Sequence, residues 1–264
     1  MSSEMKTSTT IKVNVSELEQ KVKQMYSDVA LHPEKEYHFE MGRGLAEKLG
    51  YEKNDLDQIP PEAIDSFAGV GYYFDIANLK EGERVLDLGS GSGMDTFVAA
   101  LKVGASGFIV GVDMTDEQLE KSEQLRKKNN LSTISFHKSY IENLPFSDES
   151  FDVVISNGVI NLCPDKEKVF SEVARVLKPK GRLVMADIVT EKQLPENVVC
   201  NSTLWAACIG GAAQQDDYRD AITLHGLEIL YVKTNEAYGF ISKSAKNASK
   251  EFGVKSVSLF AEKK

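Results

Sequence analysis

Arg84-Val-Leu-Asp-Leu-Gly-Ser-Gly-Ser-Gly-Met94 decides the reading of this 264-residue chain. Its first five residues read as a strand, the three glycines open a loop, and a helical pattern follows through Thr96 to Val103. Glycines at such a junction allow tight backbone angles and let a ligand come close to the chain, while the helix N-terminus offers free N–H groups. The same rhythm continues downstream. Strand-like runs at Phe108–Val112, Thr133–His137, Phe151–Ser156 and Arg182–Ala186 alternate with helical patterns, one of them stopped by Pro179 and Gly181. Alternation of this kind predicts parallel strands joined by right-handed crossovers, an α/β doubly wound sheet. Beyond Asp187 it breaks into helices at about 196–207 and 217–224, followed by strand-like runs at 227–232 and 254–261.

Upstream, residues 1–80 have a different character. Ser16-Glu-Leu-Glu19 has the form of a capping box, and Val15, Leu18, Val22, Met25 and Val29 recur at helical spacing. A second helical pattern runs from Glu36 to Leu49, and Pro60-Pro61 marks a turn before Phe67-Ala-Gly-Val-Gly-Tyr-Tyr-Phe74. This stretch has too few core residues to fold alone and reads as a helical cap. Downstream, Thr115-x-x-Gln118 reads as the cap of the helix that follows the second strand.

Composition narrows the function. With 31 basic and 40 acidic residues the net charge is −9, which argues against a protein built to grip nucleic acid. Three cysteines without a CxxC pair argue against a disulfide framework or a zinc site, so no metal is expected. The polar N-terminus and the lack of a long apolar run predict a cytoplasmic protein with no membrane span.

A second strand ends in Asp113, twenty-four positions past Gly89. A carboxylate at that tip accepts hydrogen bonds from both ribose hydroxyls of a nucleoside ligand. The dinucleotide pattern G-x-G-x-x-G is broken, because the third glycine comes one residue early and Met94 takes its place. No G-x-x-x-x-G-K-[ST] occurs either. Asp87 would repel a pyrophosphate and suits a positively charged group, such as an α-ammonium.

Val85 to Gly93 resembles motif I of the class I S-adenosylmethionine-dependent methyltransferases. Gly111-Val-Asp-Met114 resembles their ribose-binding motif, and Ser139 to Phe146 is similar to their adenine loop. Phe151 to Asn157 and Leu177 to Leu183 look like their fourth strand and their turn into the fifth. The resemblance implies that Gly89, Ser90, Gly91 and Gly93 line the methionine part of the cofactor, alongside Asp87. It also implies that Asp113 holds the ribose, Met114 packs on adenine, Ile141 and Glu142 meet the adenine edge, and Asn157 faces the methionine end. An aspartate is common in the family where Tyr140 stands.

Within that superfamily the chain is most similar to the arsenite methyltransferases. Ser156-Asn-Gly-Val-Ile-Asn-Leu-Cys-Pro-Asp-Lys166 resembles their S-N-C-V-I-N-L-x-P-D-K run, and Leu204 to Ala212 their L-W-x-x-C-x-G-G-A segment. Gly158 and Val70, however, stand where the family carries thiols, which leaves Cys208 in place. Trp205, three residues earlier, is a candidate wall of the substrate pocket, with core packing as the plain alternative. Tyr72, Tyr73 and Phe74 are candidates to cover a sulfonium, again with core packing as the alternative.

The resemblance thus implies a seven-stranded, mostly parallel sheet, with residues 1–80 as cap and 81–264 as the cofactor-binding domain, roofed by a lid at about 190–225. It implies in-line methyl transfer from S-adenosylmethionine to a small-molecule acceptor, leaving S-adenosylhomocysteine. No catalytic base is identified from the residues. Arsenite methylation through Cys208 and S-adenosylmethionine binding without catalysis stand as alternatives, and a nicotinamide enzyme is disfavoured by the glycine spacing.

Overall fold

A computed structural model of the chain describes residues 15–199 and 210–264. Eight strands form one sheet: β1 (Arg84–Leu88), β2 (Phe108–Asp113), β3 (Ile134–Lys138), β4 (Phe151–Asn157), β5 (Leu177–Thr190), β6 (Ala213–Gln214), β7 (Leu227–Thr234) and β8 (Lys255–Lys263). Seven run in the order β3-β2-β1-β4-β5-β8-β7, and the two-residue β6 pairs with β5. β8 alone is reversed, pairing antiparallel with both β5 and β7. The expected mostly parallel sheet is therefore present.

Eleven α-helices and a 3-10 turn at Ile160–Leu162 are described around it. The N-terminal group is α1 (Val15–Leu31), α2 (Gly42–Leu49), α3 (Lys53–Leu56), α4 (Pro61–Asp65) and α5 (Phe74–Ala77). The crossovers and later segments supply α6 (Met94–Val103), α7 (Asp116–Lys128), α8 (Lys166–Val176), α9 (Glu196–Val199), α10 (Gln215–Leu224) and α11 (Lys243–Phe252).

Side-chain alternation along the strands divides the core in two. Val85, Val153 and Ile155 face one way, toward α6 and the N-terminal helices, in a cluster with Phe97, Val98, Phe67 and Tyr73. Leu86, Leu88 and Val154 face the other way, toward Phe170 and Val173 of α8 and Tyr218 and Ile222 of α10. Both faces are covered, so the central strands are apolar on both sides. Asp187, fully buried in β5, accepts hydrogen bonds from Asn161 N at 3.0 Å and Tyr218 Oη at 2.7 Å, joining the loop after β4 to α10.

Three local expectations change. The helix expected from Glu36 starts at Gly42, whose φ of +76° breaks any helix entering from upstream. Ahead of it Tyr37, His38 and Phe39 form an aromatic cluster instead, with Phe39 stacked on Tyr26 of α1. Thr115 does precede α7, but its side chain makes no cap bond; the Asp113 carboxylate accepts the Thr115 N–H at 2.8 Å instead. Gln118 faces inward, accepting from Ser92 Oγ at 2.6 Å and donating to Tyr26 O at 2.8 Å. In α1, Ser16 already lies inside the helix. Of the helix expected at 196–207, residues 200–207 lie outside the described residues.

Candidate functional site

A cleft opens at the carboxyl ends of β1, β2 and β4, where open α/β sheets hold their ligands. Its floor is the glycine loop. Gly89 has φ +66°, and a Cβ there would sit 2.4 Å from the Val159 side chain, so both angle and space demand glycine. The loop is pinned by Ser90 N donating to Val112 O at 2.9 Å and Gly93 N donating to Ser90 O at 2.9 Å. Ser90 Oγ is buried on the cleft wall with no hydrogen-bond partner among the described residues. Such a hydroxyl is costly unless a ligand group meets it.

Asp113 closes the β2 end. One carboxylate oxygen accepts Gly91 N at 3.0 Å and the other Thr115 N, so the carboxylate is oriented by backbone before any ligand arrives. Burial raises its pKa above the ordinary value, against the pull of the Thr115 and Gly91 N–H groups. Asp87 is raised further, first by burial and then by the neighbouring Asp95 charge; Thr96 Oγ1 donates to it at 2.6 Å.

Asp95, in the first turn of α6, is the centre of a buried polar cluster. Tyr51 Oη donates to Oδ1 at 2.6 Å, while Tyr73 Oη at 2.7 Å and Asn157 Nδ2 at 3.0 Å donate to Oδ2. Asn157 Nδ2 also reaches Tyr51 Oη at 3.1 Å, and its Oδ1 accepts Val70 N at 2.8 Å. The cluster thus ties the tip of β4 to the loop at 67–71. Burial, then the Asp95 charge, pushes both phenols well above their usual pKa, so they stay protonated and donate.

α1 lies along the opposite wall. Leu18 and Val22 pack with Tyr26, Met114, Leu162 and Val199. Tyr140 on the β3–β4 loop donates to Glu19, accepts from Lys23 and lies under the Lys23 ammonium, 4.7 Å from its ring centre. Five acids, Glu19, Asp87, Asp95, Asp113 and Glu142, line the cleft, and among the described residues of its wall there is no lysine, arginine or histidine.

Of the residues singled out from sequence, Asp87, Gly89, Ser90, Gly91, Asp113, Met114, Ile141, Glu142 and Asn157 all line this one cleft. Gly93 does not. It has φ +94° and lies beneath the loop, where a Cβ would stand 2.9 Å from both Phe97 and Phe136; its task is to let α6 pack against β3. Tyr72, Tyr73 and Phe74 do not line the cleft either. Phe74 packs in the core, Tyr72 faces Lys233, and Tyr73 contributes only through its hydroxyl on Asp95. Cys208 and Trp205 lie outside the described residues. Cys163 does line the cleft, buried, and burial raises its thiol pKa well above the usual value.

Residues 79–226, more than half of the chain, match a family model described as a methyltransferase domain. The chain belongs to this family. An arsenite methyltransferase of Halobacterium salinarum is 38% identical over 198 residues, covering 75% of this chain and 50% of that protein. The chain therefore spans about half the length of the curated relatives it matches. The crystal structure of an arsenic(III) S-adenosylmethionine methyltransferase from Chlamydomonas reinhardtii superposes with a TM-score of 0.68 at 34% identity, over 80% of this chain and 72% of that one. Geranyl diphosphate C-methyltransferase from Streptomyces coelicolor, solved with S-adenosyl-L-homocysteine, reaches a TM-score of 0.68 at 15% identity over 94% of this chain and 98% of its own, and shares the class I fold.

Within the family's frame, two cleft residues, Phe67 and Asp95, and Tyr51, bonded to Asp95, escaped the sequence reading. Tyr51 and Phe67 are separated from the glycine loop by more than twenty residues and carry no motif of their own. Asp95 did carry a signal: it is an acid in the otherwise apolar opening of α6, where Met94, Thr96, Phe97, Val98 and Ala99 are all buried. A carboxylate so placed must have buried partners.

Proposed function

We propose that the chain is an S-adenosylmethionine-dependent methyltransferase that transfers a methyl group to a small-molecule acceptor. One observation carries the reading: a pre-oriented carboxylate at the β2 tip and a glycine loop with an orphaned buried hydroxyl share an acid-lined cleft that has no basic side chain among its described residues. Residues of this kind fit a cofactor with a ribose and net positive charge. The lack of a basic wall disfavours a pyrophosphate. When bound, the cofactor supplies a methyl group already activated on a sulfonium, so the protein's work is orientation and water exclusion.

In this reading Asp113 accepts the ribose hydroxyls, Met114 and Ile141 enclose adenine with Glu142 at its edge, and Asp87 faces the ammonium. Ser90, Gly89, Gly91 and Asn157 line the methionine path, while Leu18 and Val22 keep water out. Residues 1–80 act as a cap on a domain of 81–264. Residues 190–225 act as a lid, a role supported by Val199 packing beside Leu18 and Val22. No helix among the described residues is long and apolar enough to cross a membrane. The net charge of −9 supports an acceptor other than nucleic acid, and the enzyme is proposed to work in the cytoplasm and away from the membrane.

An organic acceptor is favoured over arsenite by the packing of Val70 against Gly158, the two positions where the arsenite enzymes carry thiols. Gly158 has φ +72°, and a Cβ there would meet Val70 Cγ1 at 3.1 Å. The second reading, a metalloid acceptor held by Cys208 with Cys163, is favoured by the arsenite methyltransferase relatives and by the Cys163 thiol in the cleft. Calorimetry with S-adenosylmethionine and NAD, then an acceptor panel including arsenite read by S-adenosylhomocysteine release, separates these readings. Preference for NAD overturns the assignment. Brisk arsenite methylation lost in Cys208→Ser establishes the second reading.

A further inference from the structure

Asp95 has no role in the reading above, yet it is an unusual group. Its side chain is buried, it lines the cleft, and its hydrogen-bond partners are Tyr51, Tyr73 and Asn157, all neutral. Its charge has no ion-pair partner among the described residues. Burial raises the Asp95 pKa above the ordinary carboxylate value, and the three neutral donors, Tyr51, Asn157 and Tyr73, pull against that rise by favouring the ionised form. A purely structural hub would not need the charge, which is costly to bury without a counter-ion. The cleft runs from Asp113 at the β2 tip, past the loop after β1, to Asn157 at the β4 tip, and Asp95 stands at that far end, hydrogen-bonded to Asn157. A nucleoside held by Asp113 directs the rest of its cofactor toward this end.

We propose that Asp95 is a specificity residue whose buried negative charge, fixed in place by Tyr51, Tyr73 and Asn157, selects the cationic methyl donor over its uncharged thioether product. The inference rests on the methyltransferase reading and deepens it. It assigns the two acids different duties: Asp87 meets the ammonium, which donor and product share, whereas Asp95 meets the sulfonium charge, which only the donor has. Discrimination of this kind promotes exchange of product for fresh donor after each turnover.

The test is calorimetric titration of S-adenosylmethionine and S-adenosylhomocysteine into wild type, Asp95→Asn, Asp95→Glu and Asp87→Asn, each checked for fold by circular dichroism. The expected result is that Asp95→Asn shifts the donor-to-product affinity ratio by roughly tenfold toward the product, the scale of one charge contact in a partly screened site. Asp95→Glu, which keeps the charge, stays near the wild-type ratio. Asp87→Asn weakens both ligands together and leaves the ratio unchanged. Equal weakening of both ligands in Asp95→Asn reduces Asp95 to a structural hub and overturns the proposal. If Asp95→Asn does not fold, Asp95→Ser takes its place, and if neither folds the wild-type ratio decides: tighter binding of the uncharged product overturns the proposal, and tighter binding of the donor supports it. Wild type that binds neither ligand refutes the methyltransferase reading itself, a result distinct from failure of the Asp95 assignment.

Discussion

The two walls of the cleft are held by different means. The strand-tip wall, Gly89 to Ser92 with Asp113 and Asn157, grows out of the parallel ladder of β1, β2 and β4 and is fastened by backbone hydrogen bonds. The helical wall, α1 with Ser66 and Phe67, is fastened to the sheet domain largely by side chains. Gln118 and Lys121 of α7 donate to Tyr26 O and Ala30 O, Lys121 also donates to Ser66 Oγ at 2.7 Å, and Tyr140 joins Glu19 and Lys23. Backbone ladders are cooperative, whereas these side-chain fastenings act singly, and the Tyr140 link to Glu19 and Lys23 is exposed and individually weak. One wall is thus preformed, and the other is suited to release and reclose around a ligand.

The sharpest way to break that contrast is Gly89→Ala. Left-handed backbone costs an alanine roughly 1–2 kcal/mol. Overlap of the new methyl with Val159 adds roughly 1–3 kcal/mol, because the loop is anchored on both sides and has nowhere to move. The expected outcome is a stability loss of roughly 2–5 kcal/mol in urea unfolding, with cofactor binding lost at the same time. Adding Val159→Ala should return the steric part and leave the conformational part. A single variant as stable as wild type would show that the loop is not rigid.

Asp113→Ala should cost less and act more locally. The carboxylate accepts two backbone N–H groups, so its removal leaves Gly91 and Thr115 without those acceptors, a loss on the scale of a helix cap, about 1 kcal/mol. Ligand affinity should fall by roughly 1–3 kcal/mol, the scale for hydrogen bonds to a charged group. Adenosine should lose as much as S-adenosylmethionine, because the contact is to the nucleoside end alone. A penalty seen for the whole cofactor but not for adenosine would move the ribose away from Asp113.

The contrast between the walls also explains what could be read in advance. The strand-tip wall is built from short contiguous motifs, so spacing pointed to Gly89 and Asp113, and the resemblance of the fourth strand added Asn157. Parallel order followed from alternation, and the reversed β8 entered as a late strand whose direction no local pattern dictates. The helical wall is assembled from residues far apart in sequence: Glu19 meets Tyr140, and Tyr51 meets Asp95. No periodicity encodes such meetings. Gly93 was misplaced for a related reason. In a G-S-G-S-G run each glycine looks alike, and only the packing of Phe97 and Phe136 shows that this one serves helix–strand contact.

The smallest expected effect bears on the helical wall. Tyr140 is 43% exposed, and its partners Glu19 and Lys23 are about a third exposed, so the fastening lies where water competes. Tyr140→Phe keeps the ring under the Lys23 ammonium and removes only the hydroxyl that bridges Lys23 and Glu19. The Glu19–Lys23 pair at 2.8 Å survives within α1, so what is lost is the link from α1 to the β3–β4 loop. Exposed contacts of this kind contribute roughly 0.2–1 kcal/mol. Global stability should therefore barely change, because unfolding must also break the sheet. Local opening of α1 needs only the side-chain fastenings to yield, so its amide exchange should quicken by a few fold while the amides of β1 and β4 stay as slow as before. Cofactor should leave the variant faster, with little change in how fast it enters, since the preformed wall that first meets it is intact. Exchange in α1 as slow as in wild type would mean that the apolar contacts of Leu18 and Val22 hold the helix without help, and that the wall does not open as a unit.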